Sequence, residues 1–377
     1  MVARSRVASR QRVRYPFSFV TSFFLVGRQG PTHPRKGEKV MEGENIYKKL
    51  SERIGTPSER IDKLWEVLCN EEEARLLLAM PGTAEELAEK TGRKPEEVQP
   101  MIDLLFRKGV VFDREKEGVV KYSMAKHLLQ FHDATILWPE APDGFLDQWQ
   151  EFMDEEYPAI AQALAAMDLP AFTRVIPVEV PMEGGGSQIL PFDNALKIVD
   201  EARSLAVTAC TCRLTAKKCE GPVEVCLQLN RAAEYTIKRG TGREVTKEEA
   251  KEIIKKSEEA GLVHVTDNRA DNEHIICNCC PCCCIVLPLI LKERKRVLLA
   301  PSRFLPEVDF DKCTLCETCV EACPLDAIAL DGGGTENRVV VEEELCIGCG
   351  QCAYQCPEEA IALKEVRNPN FVPGAAA

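Results

Sequence analysis

The sequence predicts an α+β protein built from several domains. Its 377 residues suffice for two or three domains of about 150 residues each. Helical spacing of apolar residues dominates the first part of the chain, and short β-branched runs with dense cysteine mark the last part. Of 19 cysteines, only Cys69 precedes residue 210. Because disulfide-stabilised secreted proteins are usually short and evenly supplied with cysteine, this distribution predicts metal binding in a reducing cytoplasm.

The charge balance excludes two broad classes of function. The chain has 48 basic and 60 acidic residues, a formal net charge of -12. General nucleic-acid binders and proteins that bind anionic membranes carry a basic balance instead. The sequence therefore predicts neither nucleic acid nor an anionic lipid surface as the principal ligand.

Residues 1–41 form a basic N-terminal extension. Residues 1–40 hold nine Arg and Lys against one acid, Glu38, and an apolar run of 12 residues extends from Tyr15 to Val26. The pattern resembles the start of a signal peptide, but the run lacks a good cleavage site and is too short for a membrane-spanning helix. We predict a disordered or mis-assigned extension, with a targeting peptide as the alternative and with no membrane span elsewhere.

Residues 42–130 have the order of elements found in a winged-helix domain. Apolar spacing predicts helices over 58–69 and 71–80, and Thr83 with Glu86 predicts a capping box for the next helix. A further helix begins at Pro95, and two β-branched runs around a charged turn predict a hairpin. The stretch that carries this order is similar to bacterial winged-helix regulators of the MarR and ArsR kind: TAEELAEKTGRKPEEVQPMIDLLFRKGVVFDRE.

The charges in this winged-helix-like domain favour a docking or structural role over DNA binding. A recognition helix presents Lys and Arg to phosphates and base edges. Here the helix in the position of the recognition helix begins with Pro95, Glu96 and Glu97, and its only basic residues are at its C-terminal end. Binding to DNA remains the alternative interpretation.

The sequence pattern of residues 131–303 predicts a helical, cysteine-rich domain. Helices are expected over 143–168, 193–205, 227–239 and 246–260, with strand-like segments at 206–209 and 262–265. The glycines at 184–186 predict a flexible loop and not a phosphate-binding loop, because no Lys-Ser or Lys-Thr follows them.

Ten cysteines of this middle domain form two patches in the sequence, one over residues 210–226 and the other over residues 277–284. Thiolates so crowded repel each other and oxidise readily unless a cation holds them. Neither patch has the spacing that wraps a cubane alone, so we predict that the patches share a metal site. An additional iron–sulfur cluster is expected, with zinc or redox thiols as alternatives and with one or two clusters left open. Arg213 can offset the negative charge of such a site. The candidate ligands are Cys210, Cys212, Cys219, Cys226, Cys277, Cys279, Cys280, Cys282, Cys283 and Cys284.

Residues 307–365 carry the most specific motif in the chain. The spacing C-x2-C-x2-C-x3-C-P occurs twice, and the repeats at 313–330 and 346–363 match at nine of 18 positions. This is the run of bacterial ferredoxins that hold two [4Fe–4S] clusters, in which the fourth cysteine of each run ligates the other cluster. One predicted ligand set is Cys313, Cys316, Cys319 and Cys356. The other set is Cys346, Cys349, Cys352 and Cys323. Residues 366–377 form a short tail.

A broader resemblance rests on the motifs CTCRLTAKKCEGPVEVCL and ICNCCPCCC together with the ferredoxin tail. The chain after Met41 resembles a family of cytoplasmic, multi-cysteine [4Fe–4S]-binding proteins of anaerobic bacteria, and this resemblance implies anaerobic electron transfer without naming a reaction.

The sequence thus predicts an iron–sulfur electron-transfer protein rather than a stand-alone enzyme. Residues 307–365 hold 14 acids and three bases, which predicts a redox partner with a basic docking face. A redox-sensing transcription regulator and a subunit of an iron–sulfur oxidoreductase are the alternatives. No catalytic residue is predicted, because one-electron transfer requires no acid, base or nucleophile.

Overall fold

The computed structural model describes residues 45–167, 170–180, 190–271, 273–331 and 338–375. The predicted extension over residues 1–41 and the predicted glycine loop at 184–186 lie outside the described residues. Within the described ranges, no helix combines the length and the apolar character that crossing a bilayer requires.

The N-terminal part contains five helices and a hairpin in the described residues. These are α1 (Ile46–Arg53), α2 (Glu59–Leu68), α3 (Glu71–Ala79), α4 (Ala84–Thr91), α5 (Pro95–Arg107), β1 (Val111–Lys116) and β2 (Val119–Met124). The Thr83 hydroxyl accepts from the Glu86 amide and the Glu86 carboxylate accepts from the Thr83 amide, so the predicted capping box is made. β1 and β2 pair antiparallel. The expected order of elements is present, and the winged-helix assignment stays a prediction.

The hairpin and the end of α5 pack against the middle of the chain. Phe112 of β1 stacks on Tyr235 with ring centroids 4.7 Å apart, and Phe106 meets the same ring edge-on at 5.1 Å. The Arg239 guanidinium donates to the carbonyls of Arg107 and Ala134, each at 3.0 Å. One face of the hairpin is therefore occupied by the protein itself.

Three helices lead from the hairpin to the cysteine-rich region: α6 (Leu128–Ile136), α7 (Phe145–Glu155) and α8 (Tyr157–Ala165). The single helix predicted over 143–168 is divided at Glu156, because Pro158 starts a new helix. Trp149 is fully buried and donates its indole N–H to the Thr135 hydroxyl at 3.1 Å.

The prediction of a helical middle domain is wrong, because a seven-stranded sheet organises this region. Its strands are β3 (Thr173–Ile176), β4 (Leu205–Ala209), β5 (Glu224–Leu229), β6 (Arg243–Glu244), β7 (Val263–Asp267), β8 (Ile275–Cys279) and β9 (Leu299–Ala300), in the order β6-β4-β5-β8-β7-β3-β9. The helices of this region are α9 (Ala195–Glu201), α10 (Thr211–Ala216), α11 (Arg231–Arg239), α12 (Lys247–Glu259) and α13 (Leu287–Glu293).

The missed strands have physical reasons. The last three residues of β5 fall within the helix predicted over 227–239, because only Asn230 separates β5 from α11. β8 reads Ile-Ile-Cys-Asn-Cys, in which cysteine and asparagine hide the apolar alternation that marks a strand. Central strands covered on both faces lack that alternation in general.

The C-terminal part is two antiparallel strand pairs with two short helices. These elements are β10 (Phe304–Val308), α14 (Thr318–Glu321), β11 (Ile328–Asp331), β12 (Arg338–Val341), α15 (Gln351–Tyr354) and β13 (Ile361–Glu365). β10 pairs with β13, and β11 pairs with β12. Arg303, which is 1% exposed, joins this part to the middle by pairing with Asp193 at 2.6 Å and with Glu365 at 2.5 Å.

Candidate metal centres

Four cysteines surround an open recess at the outer end of the C-terminal part, here called the outer recess. The recess has an empty volume of about 320 Å³ and is lined by the thiol-bearing residues of one predicted ligand set. Three come from the first repeat and the fourth comes from the second: Cys313, Cys316, Cys319 and Cys356. Cys316 is exposed. The structure therefore brings these four residues together around a space that is open to solvent.

The other four cysteines surround a second recess, here called the inner recess. Its empty volume is about 330 Å³, and its cysteine lining is Cys323, Cys346, Cys349 and Cys352. Again one residue comes from the opposite repeat. Burial raises the pKa of the Cys349 thiol to about 12, so this thiolate requires a cation beside it.

The loops that shape the two recesses use the same backbone conformation with different residues. Gly348 and Gly350 have φ of 64° and 82°. Leu315 and Glu317 occupy the equivalent places in the first repeat at φ of 58° and 63°. In the second loop only glycine fits, because the Phe304 carbonyl lies where a Cβ of residue 348 would stand.

The inner recess packs directly on the middle sheet. The amide of Val178 donates to the Cys349 carbonyl at 2.9 Å. The buried Gln351 amide donates to the Leu262 carbonyl at 2.9 Å, at the start of β7. The two recesses therefore differ in environment, with the outer one facing solvent and the inner one facing the cysteine-rich sheet.

Strand β8 brings the two middle cysteine patches together. It pairs with β5, which carries Cys226, and with β7 on its other side. Cys277 and Cys279 lie on β8, and a turn follows at residues 281–283. Cys210 caps α10, and Cys212 lies inside that helix. The ten thiols fall into two groups, and each group takes residues from both patches.

The first group, here called the four-thiol group, consists of Cys219, Cys280, Cys282 and Cys283. All four sulfurs lie within 4.8 Å of one another. Cys219 is exposed, whereas Cys280 and Cys283 are buried. The Gly221 amide donates to the Cys219 sulfur and, as the largest cause, lowers the pKa of that thiol to about 7.

The second group, here called the six-thiol group, lies deeper. Hydrogen bonds from Cys212 and Cys226 lower the pKa of the Cys210 thiol to about 2. Cys226 contacts Cys277, and Cys279 contacts Cys277 and Cys284. The members are Cys210, Cys212, Cys226, Cys277, Cys279 and Cys284. Six thiols linked by interactions between neighbouring pairs can hold a metal centre and cannot all be ligands of one cubane, which has four corners.

Arg213 lies between the two middle groups. Its guanidinium is 4% exposed, interacts with Cys219 and Cys280 of the four-thiol group, and is close enough to Cys210 for electrostatic attraction. Its Nη2 donates to the Asn278 carbonyl at 3.0 Å, which fixes the side chain against β8. The expected role of Arg213 in offsetting thiolate charge thus extends to both groups.

Two residues beside the thiols are not indicated by the motifs. Tyr157 is buried, its hydroxyl has no partner among the described residues, and the groups that act on it electrostatically are Cys284, Cys212 and Asp133. Burial raises the pKa of Tyr157, so the phenol keeps its proton. Asn278 alternates with Cys277 and Cys279 along β8, and its amide donates to the Val225 carbonyl at 2.6 Å. The Cys-Asn-Cys alternation is the only sequence signal for the second residue.

Residues outside the thiol groups have structural explanations. His264 bonds Asn278 at 2.5 Å and Glu258 at 3.2 Å, and His274 bonds Asp267 at 3.3 Å. Cys69 is buried in the N-terminal core, where burial raises its pKa to about 12. These positions give Cys69 the properties of an unreactive core thiol.

Comparison with known proteins covers the C-terminal part only. Residues 312–360 match the family model of the 4Fe-4S dicluster domain. Neither the curated proteins nor the solved structures compared with the chain give a match. The domain match and the cysteine groups indicate iron–sulfur electron transfer with at least one [4Fe–4S] cluster.

Proposed function

We propose that the protein is a multi-cluster iron–sulfur electron carrier. Two [4Fe–4S] clusters are assigned to the outer and inner recesses, and a further iron–sulfur cluster is assigned to the six-thiol group. The observation that carries the proposal is the pair of recesses, each lined by three cysteines of one repeat and one of the other. A cubane needs four thiolates around a space of its own, and both recesses offer that arrangement.

The packing of the chain supports a route for electrons from the surface inwards. Cys319 of the outer recess and Cys352 of the inner recess lie in one apolar cluster. Cys349 belongs to the large apolar core against which Cys277 and Cys284 also pack. Such packing excludes water and holds the three sites in fixed positions. The outer cluster would exchange electrons with a partner, and the inner cluster would connect it to the six-thiol group.

The partner is proposed to present a basic face to the outer recess. Glu317 and Glu358 line this recess and are exposed, as is Cys316. An acidic rim around an accessible cluster attracts basic proteins and accelerates their encounter.

A lysine-rich c-type cytochrome tests both electron transfer and the sign of the docking face. The dithionite-reduced protein, freed of excess reductant under anaerobic conditions, is expected to reduce this cytochrome rapidly at low ionic strength. The second-order rate should fall about tenfold or more in high salt, because screening removes the steering. Glu317→Gln and Glu358→Gln should each lower the low-salt rate, and Glu96→Gln on α5 should not. A salt-independent rate would exclude the acidic docking face, and the absence of any cytochrome reduction would exclude the carrier itself.

Tyr157 is proposed to donate a hydrogen bond to the cluster of the six-thiol group. Hydrogen bonds to cluster sulfurs stabilise the reduced, more negative state and raise the reduction potential. Tyr157→Phe should therefore lower the potential of this cluster by on the order of 60 mV, the one-electron equivalent of a charged hydrogen bond. EPR-monitored redox titration measures this shift, and the potentials of the two ferredoxin-type clusters serve as internal controls. An unchanged potential would show that Tyr157 does not donate a hydrogen bond to this cluster.

The regulator alternative has no specific support. The opening of α5 presents Glu96 and Glu97 to solvent, and one face of the hairpin is covered by α11. Both features oppose the contacts that a winged helix makes with phosphates and base edges.

A further inference from the structure

The geometry points to a single tetrahedral zinc ion in the four-thiol group, separate from every iron–sulfur cluster. This inference goes beyond the proposed electron transfer and does not depend on it. The site consists of Cys219 from the loop after α10 and of Cys280, Cys282 and Cys283 from the turn after β8.

The distances between sulfurs distinguish one ion from a cubane. Zinc binds thiolates at about 2.3 Å, so the edges of a tetrahedral tetrathiolate site measure about 3.8 Å. Three of the six distances between these sulfurs are 3.9 Å from Cys219 to Cys280, 3.7 Å from Cys219 to Cys283 and 3.8 Å from Cys282 to Cys283, and the other three lie within 4.8 Å. A cubane has a metal at each of four corners and therefore holds its thiolates farther apart.

The ferredoxin-type sites of the same chain provide an internal comparison. Their thiols surround open recesses instead of lying against one another. Three or more ligand atoms of His, Cys, Asp or Glu can bind one metal ion when they all lie within 4.8 Å of one another. Among the described residues, the four-thiol group is the one set that meets this condition. The four sulfurs are therefore close enough together to bind one metal ion, and too close together to surround a cubane.

The groups around the four sulfurs can compensate the negative charge of a tetrathiolate metal site. Four thiolates around one Zn²⁺ leave a net charge of about -2, which needs compensation. The buried Arg213 guanidinium lies close enough to Cys219 and Cys280 for electrostatic attraction, and its Nη2 is fixed by the Asn278 carbonyl at 3.0 Å. This cation can offset part of the charge of the bound site.

The position of the site indicates a structural role. The ion would tie the loop after α10 to the turn after β8. Cys212 of the six-thiol group lies in α10, which precedes this loop, and Cys284 directly follows the turn. A closed tetrathiolate site leaves no position for substrate, as expected for structural zinc. The zinc site would therefore fix the geometry of the deeper cluster without taking part in its chemistry.

The test measures zinc and iron in the full chain, purified anaerobically, and examines the wild type by zinc K-edge X-ray absorption. The wild type is expected to hold about one zinc per chain, surrounded by four sulfurs at about 2.3 Å. Cys219→Ala and Cys282→Ala should each lose that zinc and keep the irons of the two ferredoxin-type clusters. Cys69→Ala is the control and should keep both metals.

Several results would overturn the assignment. They are a wild type without zinc, nitrogen or oxygen among the zinc ligands, and loss of one or of four irons instead of zinc in Cys219→Ala. If a variant fails to fold and loses all metals, the absorption spectrum of the wild type still decides the question.

Discussion

Replacing Cys316 with alanine is expected to remove about four irons per chain and one of the two ferredoxin-type EPR signals. Cys316 lines the outer recess and not the inner one. A cubane that loses one of its four thiolates is exposed to solvent and is usually lost or degraded. The inner cluster should keep its signal, because its four ligands are untouched.

Each predicted ligand set takes three cysteines from one repeat and the fourth from the other, so variants in different repeats can test the same cluster. Cys356→Ala should remove the same signal as Cys316→Ala, although the two cysteines belong to different repeats. Cys323→Ala should remove the other signal. The double variant Cys316→Ala/Cys356→Ala should lose no more iron than either single variant, because both residues serve one cluster. If Cys356→Ala instead removed the signal that Cys316→Ala leaves, each repeat would hold its own cluster and the crossed assignment would be wrong.

Cys226→Ala and Cys277→Ala are each expected to abolish the cluster assigned to the six-thiol group. Cys226 lies on β5 and Cys277 on β8, and the two thiols interact across the paired strands. Since both would bind the same centre, either change should remove the same irons and the same EPR signal, and combining them should add nothing. Iron analysis and low-temperature EPR of the full chain measure these losses.

Cys69→Ala is the matched control for this pair, because Cys69 is also a buried thiol but lies in the N-terminal core. It should keep all iron. Loss of iron in additive steps, or no loss in either variant, would show that the two strands do not share a centre. The full chain is needed here: Ser302 donates to the Gly348 carbonyl at 2.6 Å, and Arg303 pairs with Glu365. A protein truncated near Arg303 would lose these contacts.

Local signals in the sequence predict where several of the helices begin. Pro95 begins α5, and Thr246 caps α12 by accepting from the Glu249 amide at 3.1 Å. Glu249 stands where it could complete a capping box, but its carboxylate pairs with Arg243 at 2.6 Å instead. Capping depends on residues within one turn, so the sequence contains most of the information, and tertiary charges account for the difference.

The division of the middle cysteines could not be predicted from the sequence. Spacing showed two patches and suggested one shared site. Which thiols meet depends on the pairing of β5 with β8, which joins residues about 50 positions apart, and on the turn that directs Cys280 and Cys284 into different groups. The tail differs in this respect, because there the ligand spacing itself encodes the loops that wrap each cluster.

The amounts of iron and acid-labile sulfide in the anaerobically purified full chain, combined with an EPR-monitored redox titration, decide whether the protein is an iron–sulfur electron carrier. We expect about eight irons from the two recesses and about four or more from the six-thiol group, with comparable sulfide and reversible one-electron reduction at each site. Iron without labile sulfide, or clusters that cannot be reduced reversibly, would contradict an iron–sulfur electron carrier.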